Sequence, residues 1–243
     1  RINENPYLDN QLKQLEMQFN ATKQRLQNKF GTQKFIVYFQ SFTNTYAPFS
    51  TLKALYEKAL SFDNVIGLSI GTRTDCVTDE ILDYLVDLSK DKEIWIEFGI
   101  QSFFDETLIN INRGDTSSNM KYWINRSKEK GLNVCGHLIY GLPNETQEMM
   151  LETFRQTVEL KVDSIKFHPL YVVKNTLLTN EFKKGRFTPI SEELYIDTVV
   201  KSIKILPENI SIQRITAGIN DSTLLSPDWC RDKHKQKKNI RLA

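Results

Sequence analysis

The sequence predicts an α/β fold built on a parallel sheet, and three observations carry the prediction. Strand-like and helix-like stretches alternate along the chain. Several strand candidates are continuous apolar runs, the pattern of strands covered on both faces. Polar or turn-forming residues follow five successive strands, where folds of this class collect their sites.

The elements follow in order. Asn10–Phe30 reads as a charged amphipathic helix with Leu12, Leu15, Phe19 and Leu26 on one stripe, ended by Gly31. Phe35–Phe39 is a short run of aromatic and β-branched residues, hence a buried strand. A helix begins at Pro48, with Ser50 or Thr51 as its cap. Val65–Ile70 is the second strand. Thr78 opens a helix to Leu88, with Asp79 and Glu80 in its first turn. Ile94–Ile100 is the third strand. Asp105–Ile111 and Ser117–Lys130 are helices, the second stopped by Gly131. Asn133–Ile139 is the fourth strand and Glu145–Leu160 the next helix. Ser164–Val173 reads as a strand broken at Pro169. Ser191 caps a helix to Leu206, just before Pro207, and Ile210–Ile215 is the last strand.

The 243 residues suit one large domain or two small ones. Hydrophobic residues at 40% and charged residues at 26% are ordinary for a globular protein, and a net charge of +2 demands no nucleic-acid partner. No run of about 18 apolar residues predicts a membrane helix, and no signal peptide is visible. The chain starts at Arg1 rather than Met, so the natural start is expected upstream. Cys76, Cys135 and Cys230 are odd in number and far apart, a reduced, cytoplasmic pattern with no local metal-binding pair. There is no phosphate-binding Walker loop, dinucleotide fingerprint or zinc-type pair.

The strand-end loops carry the functional reading. Gln40–Thr45 follows the first strand, Gly71–Asp75 the second, Gln101 and Ser102 the third, and Tyr140–Pro143 the fourth, while His168 falls in the fifth. Phe98-Gly99-Ile100-Gln101-Ser102-Phe103, then Leu108, then Asn112-Arg113-Gly114, resembles a signature of radical S-adenosylmethionine enzymes. The Elongator catalytic subunit and oxygen-independent coproporphyrinogen oxidase share that signature. Ser69–Asp75 resembles an Elongator-type turn, and His137–Pro143 resembles the Gly-Leu-Pro strand end of both. Phe39–Pro48, Lys166-Phe167-His168-Pro169-Leu170 and Pro227-Asp228-Trp229 resemble a narrower bacterial family of small Elongator-like radical proteins.

The resemblance runs from about Lys34 to Trp229 and implies a partial (β/α) barrel of the radical S-adenosylmethionine type. It divides the chain into a leading helix at 1–33, the barrel at 34–215, and a C-terminal extension with a basic tail at 216–243. It implies S-adenosylmethionine and a [4Fe–4S] cluster as cofactors, and an electron donor such as flavodoxin or ferredoxin. The implied reaction is at the tRNA wobble uridine, from a carboxymethylaminomethyl side chain to aminomethyl. The family's first strand and three-cysteine loop have no counterpart here, so no cluster ligand is expected in this chain. The chain alone is expected to be inactive and to have an open side where that strand belongs. Asp115 replaces a usual His, and Gly71 replaces an Elongator-type Glu, which puts a ribose contact in doubt. A radical enzyme acting on a tetrapyrrole, or a nucleotide- or tRNA-binding module that has lost the cluster, are the alternatives.

S-adenosylmethionine asks a site for carboxylate donors, partners for a ribose diol, and backbone edges with apolar cover for adenine. The resemblance puts Arg113 on the carboxylate, where an arginine can bind bidentately, and Gln101 beside the amino acid or ribose. Taken plainly, Arg113 is a helix-end surface cation and Gln101 a turn residue. His137 matches a position near the ribose, or is a satisfied core histidine. Tyr140 and Leu142 are expected near adenine, or in core packing. Ser41, Thr43 and Asn44 stand where relatives bind the methionyl amine. Arg73 and His168 are candidate substrate contacts, with a local Arg73–Asp75 clip as the plain reading of the first. Cys76, at a helix start, would have a lowered thiol pKa. Arg231–Arg241 holds six Lys or Arg and one Asp, and reads either as a phosphate-contacting segment or as a solvated, frayed terminus.

Overall fold

The computed structural model describes residues 6–243; of the segment expected at 1–33, the first five residues lie outside that range. In chain order the elements are α1 (Pro6–Phe30), β1 (Phe35–Phe39), α2 (Phe49–Leu60), β2 (Val65–Thr72), α3 (Asp79–Ser89), β3 (Glu93–Gln101), α4 (Asp105–Asn110), α5 (Ser117–Glu129), β4 (Asn133–Tyr140), α6 (Gln147–Glu159), β5 (Ser164–Pro169), β6 (Val172–Val173), α7 (Leu177–Lys183), α8 (Glu192–Lys204), β7 (Ser211–Arg214), β8 (Leu224–Ser226) and α9 (Lys233–Leu242). Six strands form one sheet in the order β1-β2-β3-β4-β5-β7, so β1 and β7 are its edges. The pairs β1–β2, β4–β5 and β5–β7 are parallel, while β6 and β8 pair antiparallel in a separate sheet. No helix among the described residues is long and apolar enough to cross a membrane.

Two compact units share the chain. The first runs to Glu97 and takes in Glu129–Asn133. In it, β1 and β2 lie in register, with Tyr38 beside Ser69 and Phe39 beside Ile70. Strand alternation sends Leu68 and Ile70, both fully buried, to one face and Ser69 to the other. On the apolar face Phe39 meets Tyr56 of α2 edge-on at 5.5 Å. Phe19 of α1 stacks on Phe62 at 4.5 Å, which fixes the leading helix by its apolar stripe. Gly67 has no room for a side chain, since a Cβ there would lie 1.9 Å from the Glu93 carbonyl oxygen.

The second unit holds Phe98–Lys128 and Val134–Ala243. Its core joins strand residues Phe98, Ile100, Leu138 and Phe167 with Phe154 of α6 and Tyr195 of α8, all buried. Asp163 ties the start of β4 to the start of β5: it accepts from the Val134 N–H at 2.7 Å and holds Lys128 at 2.6 Å.

Several sequence expectations change. The helix after the first strand is not capped by Ser50 or Thr51. Pro48 is the N-cap, without a side-chain bond, and Phe49 begins α2, where its ring meets Tyr84 at 5.4 Å. Caps at Thr78 and Ser191 form as expected, each accepting from the N–H three residues on. The strand expected at Ser164–Val173 is two strands in two sheets, because the chain leaves the main ladder after Pro169. The frayed terminus is instead the helix α9, with Gln236 and Ile240 buried.

Candidate functional site

In the first unit the loop after β1 is tied down at several points. Asn44 donates its side-chain amide to the carbonyls of Phe39 at 3.0 Å and Gly71 at 2.8 Å. Its own carbonyl accepts from the Tyr56 hydroxyl at 2.6 Å, and the buried Thr45 donates to the Cys76 carbonyl at 2.6 Å. Asn44 therefore has only its Oδ1 left for a ligand. The fixed loop leaves Ser41 exposed and holds two rings in solvent, Phe42 at 98% exposure and Tyr46 at 80%. Phe42 has a φ of 64°, a left-handed conformation that bulky residues rarely adopt.

Arg73, after β2, makes a fork onto Asp75, Nε to Oδ1 at 2.7 Å and Nη2 to Oδ2 at 2.5 Å. That is the local clip. Sequence reasoning passed over Glu97, which is 1% exposed and accepts from the Tyr38 hydroxyl at 2.8 Å and from the Ser69 hydroxyl. A buried carboxylate is tolerated only with such donors. The one sign in the sequence was an acid in the middle of an apolar strand.

In the second unit β3 ends at Gln101 with a φ of 68°, and the Ser102 N–H donates to the Ile100 carbonyl at 2.9 Å. This three-residue γ-turn is strained for a side-chain-bearing residue, and such strain collects at functional sites. Arg113 stands between two left-handed residues, Asn112 at φ 53° and Gly114 at φ 67°, and that turn directs its side chain inward. It is 6% exposed, and Nη2 donates to the Gly99 carbonyl at 2.6 Å. Gly99 and Gln101 share a face of the strand. The structure thus brings Gln101 and Arg113 to one strand end, and burial excludes the surface-cation reading of Arg113.

The loop after β4 is held to that turn. Glu145 accepts from the Ser102 hydroxyl, and its N–H donates to the Leu142 carbonyl at 3.1 Å. Burial raises the Glu145 carboxyl above its ordinary range, and hydrogen bonds from Ser102 and Thr107 oppose that. Tyr140 turns into the core: its hydroxyl is 2.8 Å from Ser202 Oγ and its ring 5.4 Å from Phe167. Leu142 is buried as well. The phenol is therefore placed in packing, not on the strand end.

Basic side chains occupy neighbouring positions across three strands. His137 on β4 pairs in register with Lys166 on β5, which pairs with Arg214 on β7. Lys166 is only 7% exposed. His168 lies two residues on, its Nδ1 2.8 Å from the Pro169 carbonyl oxygen. Its pKa is pushed down to about 4, chiefly by burial, with Arg214 and His137 adding to the effect.

Among the described residues the three cysteines form no cluster loop. Cys76 lies on a short turn, Cys135 on β4 and Cys230 on another turn, so no two share an element. Burial pushes the Cys230 thiol up to about 12, against the thiolate a ligand must be. The β3 end does fit an aminocarboxylate or ribose: a buried guanidinium and a carboxamide sit beside one held turn.

Comparison with known proteins agrees with this geometry. Residues 10–157 match the Radical SAM superfamily and residues 162–242 match the Radical_SAM C-terminal domain. Protein YtqA of Bacillus subtilis is 34% identical over 227 residues, 93% of this chain and 70% of that protein. A tRNA uridine(34) acetyltransferase of Methanocaldococcus jannaschii is 28% identical over 157 residues, 63% of this chain and 28% of that protein. The solved structure of Methanocaldococcus infernus Elp3, with an N-terminal deletion, superimposes with a TM-score of 0.80 at 20% identity. It covers 94% of this chain, which spans 58% of that one. The chain belongs to the radical S-adenosylmethionine superfamily, an enzyme superfamily, and its sheet is a partial (β/α) barrel of that type.

Proposed function

We propose that this radical S-adenosylmethionine superfamily member is the core of an enzyme that modifies the wobble uridine of tRNA, from carboxymethylaminomethyl to aminomethyl. The observation that carries the cofactor part is the end of β3, where a buried Arg113 lies beside the strained Gln101 turn. When bound, S-adenosylmethionine with its cluster supplies a carbon radical for hydrogen abstraction. The chain's part is to bind and orient. Arg113 would offer its guanidinium to the carboxylate, Gln101 its carboxamide to the amino acid or ribose, and His137 its ring to the diol. The backbone at Tyr140–Leu142 supplies edges for adenine.

The substrate part rests on the similarity to a protein named for tRNA uridine(34). The basic side chains of Lys166 and Arg214 add support, because a carboxymethylaminomethyl group carries a carboxylate that cations complement. His168, held neutral by burial, adds a hydrogen-bonding ring rather than a charge.

Nucleoside mass spectrometry of tRNA from cells lacking the gene tests the reading. Accumulated carboxymethylaminomethyluridine, with loss of the aminomethyl and methylaminomethyl forms, is the expected result. An unchanged profile overturns it and puts a tetrapyrrole substrate or a non-catalytic binding module ahead.

A further inference from the structure

One helix of this chain carries cations with no acid to balance them. α9 reads KHKQKKNIRL, with five Lys or Arg and no acid. The chain as a whole is +2, so with those five removed the rest sums to −3. Among the described residues, none of the five enters an ion pair. A helix of net charge +5, on a chain whose remainder is net acidic, marks a surface for an anionic partner.

The helix is held in place rather than frayed. Asp232 caps it, accepting from the N–H groups of His234 and Lys235 at 3.0 Å each. Gln236 is 1% exposed; it accepts from the Thr216 hydroxyl and donates to the Trp229 carbonyl at 2.6 Å. Asn239 donates to Glu192, the first residue of α8, at 3.1 Å. Trp229 in turn donates its indole N–H to the Ile190 carbonyl at 3.1 Å. Ile190 lies against Gly141, the residue that follows β4: a Cβ on Gly141 would sit 2.7 Å from it. A chain of contacts therefore runs from the end of β4 through Ile190 and Trp229 to Gln236, and ties α9 to that strand end.

The buried side of α9 is Gln236 and Ile240. Helical spacing puts Lys235, Lys238 and Arg241 on the opposite side, flanked by His234 and Lys237. All five are exposed. A helix that lies on a lipid surface needs an apolar stripe beside its cations. Here the one apolar side chain left outside is Leu242. A cationic face without an apolar stripe suits a phosphodiester backbone.

We propose that α9 is a docking helix for the phosphate backbone of the RNA substrate, with Lys235, Lys238 and Arg241 at its centre. The proposal rests on the tRNA reading above and adds the surface that holds the tRNA. Phosphate binding of this kind releases counterions, about 0.7–0.9 per contact, so affinity falls steeply with salt.

The test measures binding of a tRNA transcript to the full-length protein by fluorescence anisotropy over a range of salt. It compares the wild type with Lys235→Ser/Lys238→Ser/Arg241→Ser. The expected result is a slope of log affinity against log salt that is shallower by about 2–3, and affinity at least tenfold weaker at about 0.1 M salt. The charge-preserving Lys235→Arg/Lys238→Arg/Arg241→Lys variant should keep the wild-type slope. These positions are exposed, so all three proteins should unfold at the same temperature. If the wild type binds with a steep slope that the triple Ser variant leaves unchanged, the docking proposal fails while the tRNA reading stands. If anionic phospholipid vesicles bind through α9 and the transcript does not, the RNA assignment is overturned. The nucleoside profile judges the wobble-uridine reading separately.

Discussion

Two turns in this molecule, after β2 and after α4, each supply an arginine, and the two side chains come to different ends. Arg73 closes on Asp75 two residues away, in a pair that is about one third exposed. Arg113 reaches back fourteen residues to a main-chain carbonyl and is almost fully buried. A fork satisfied by a carboxylate has its charge and its geometry matched locally. A guanidinium that donates to a main-chain carbonyl is positioned by that contact but not neutralised by it. Residue type was the same in both, but Arg73 follows β2 directly and Arg113 follows α4. The partner, and how far along the chain it lies, makes the difference.

The largest expected effect is at Arg113. Arg113→Met keeps the bulk and removes the donors. It should lower stability by about 2–3 kcal/mol, as loss of a buried hydrogen bond from a charged group does. Urea unfolding measures this. In the full-length, cluster-bearing protein the same change should weaken S-adenosylmethionine binding at least tenfold by calorimetry; unchanged affinity would remove Arg113 from the site and make the two arginines functionally alike.

His168 falls between the two cases, and it can be read through pH. Its folded pKa of about 4 lies below the ordinary value of 6.5, chiefly because of burial. The unfolded chain therefore binds the proton more readily. The stability this histidine contributes is present above about pH 6.5 and is lost as pH falls toward about 4. Unfolding free energy should drop by about 1–2 kcal/mol more between pH 7 and 5 in the wild type than in His168→Gln. Parallel pH profiles would show that the ring is solvated when folded.

Arg73→Ala should have the smallest effect, below about 1 kcal/mol, because screened, partly exposed pairs contribute little. A loss as large as that at Arg113 would break the comparison.

Much of this could be read in the sequence, for reasons that differ by element. The apolar runs at 35–39, 65–70 and 94–100 gave their strands, since such a composition is rare in loops. The first was expected to be buried, but it is an edge strand with only Phe35 buried and Ile36 exposed. Thr78 and Ser191 were legible because a cap acts within three residues. The break after Pro169 was visible, but the separate β6–β8 sheet was not, because its partner strand lies far along the chain. The same limit hid Glu97, whose donors Tyr38 and Ser69 come from two other strands. Tyr140 was open between a place near adenine and core packing; which it takes is decided by Phe167 and Ser202. At Arg113 the motif gave the residue, and the structure added the burial and the carbonyl it holds.

The placement of charge in α9 has a consequence for handling the protein. A chain ended before Lys233 would lose five positive charges and change sign, from +2 to −3. At neutral pH it would move toward the anode in native electrophoresis and be retained by an anion exchanger. Proteolytic loss of this one helix would therefore separate as a distinct, acidic species during purification.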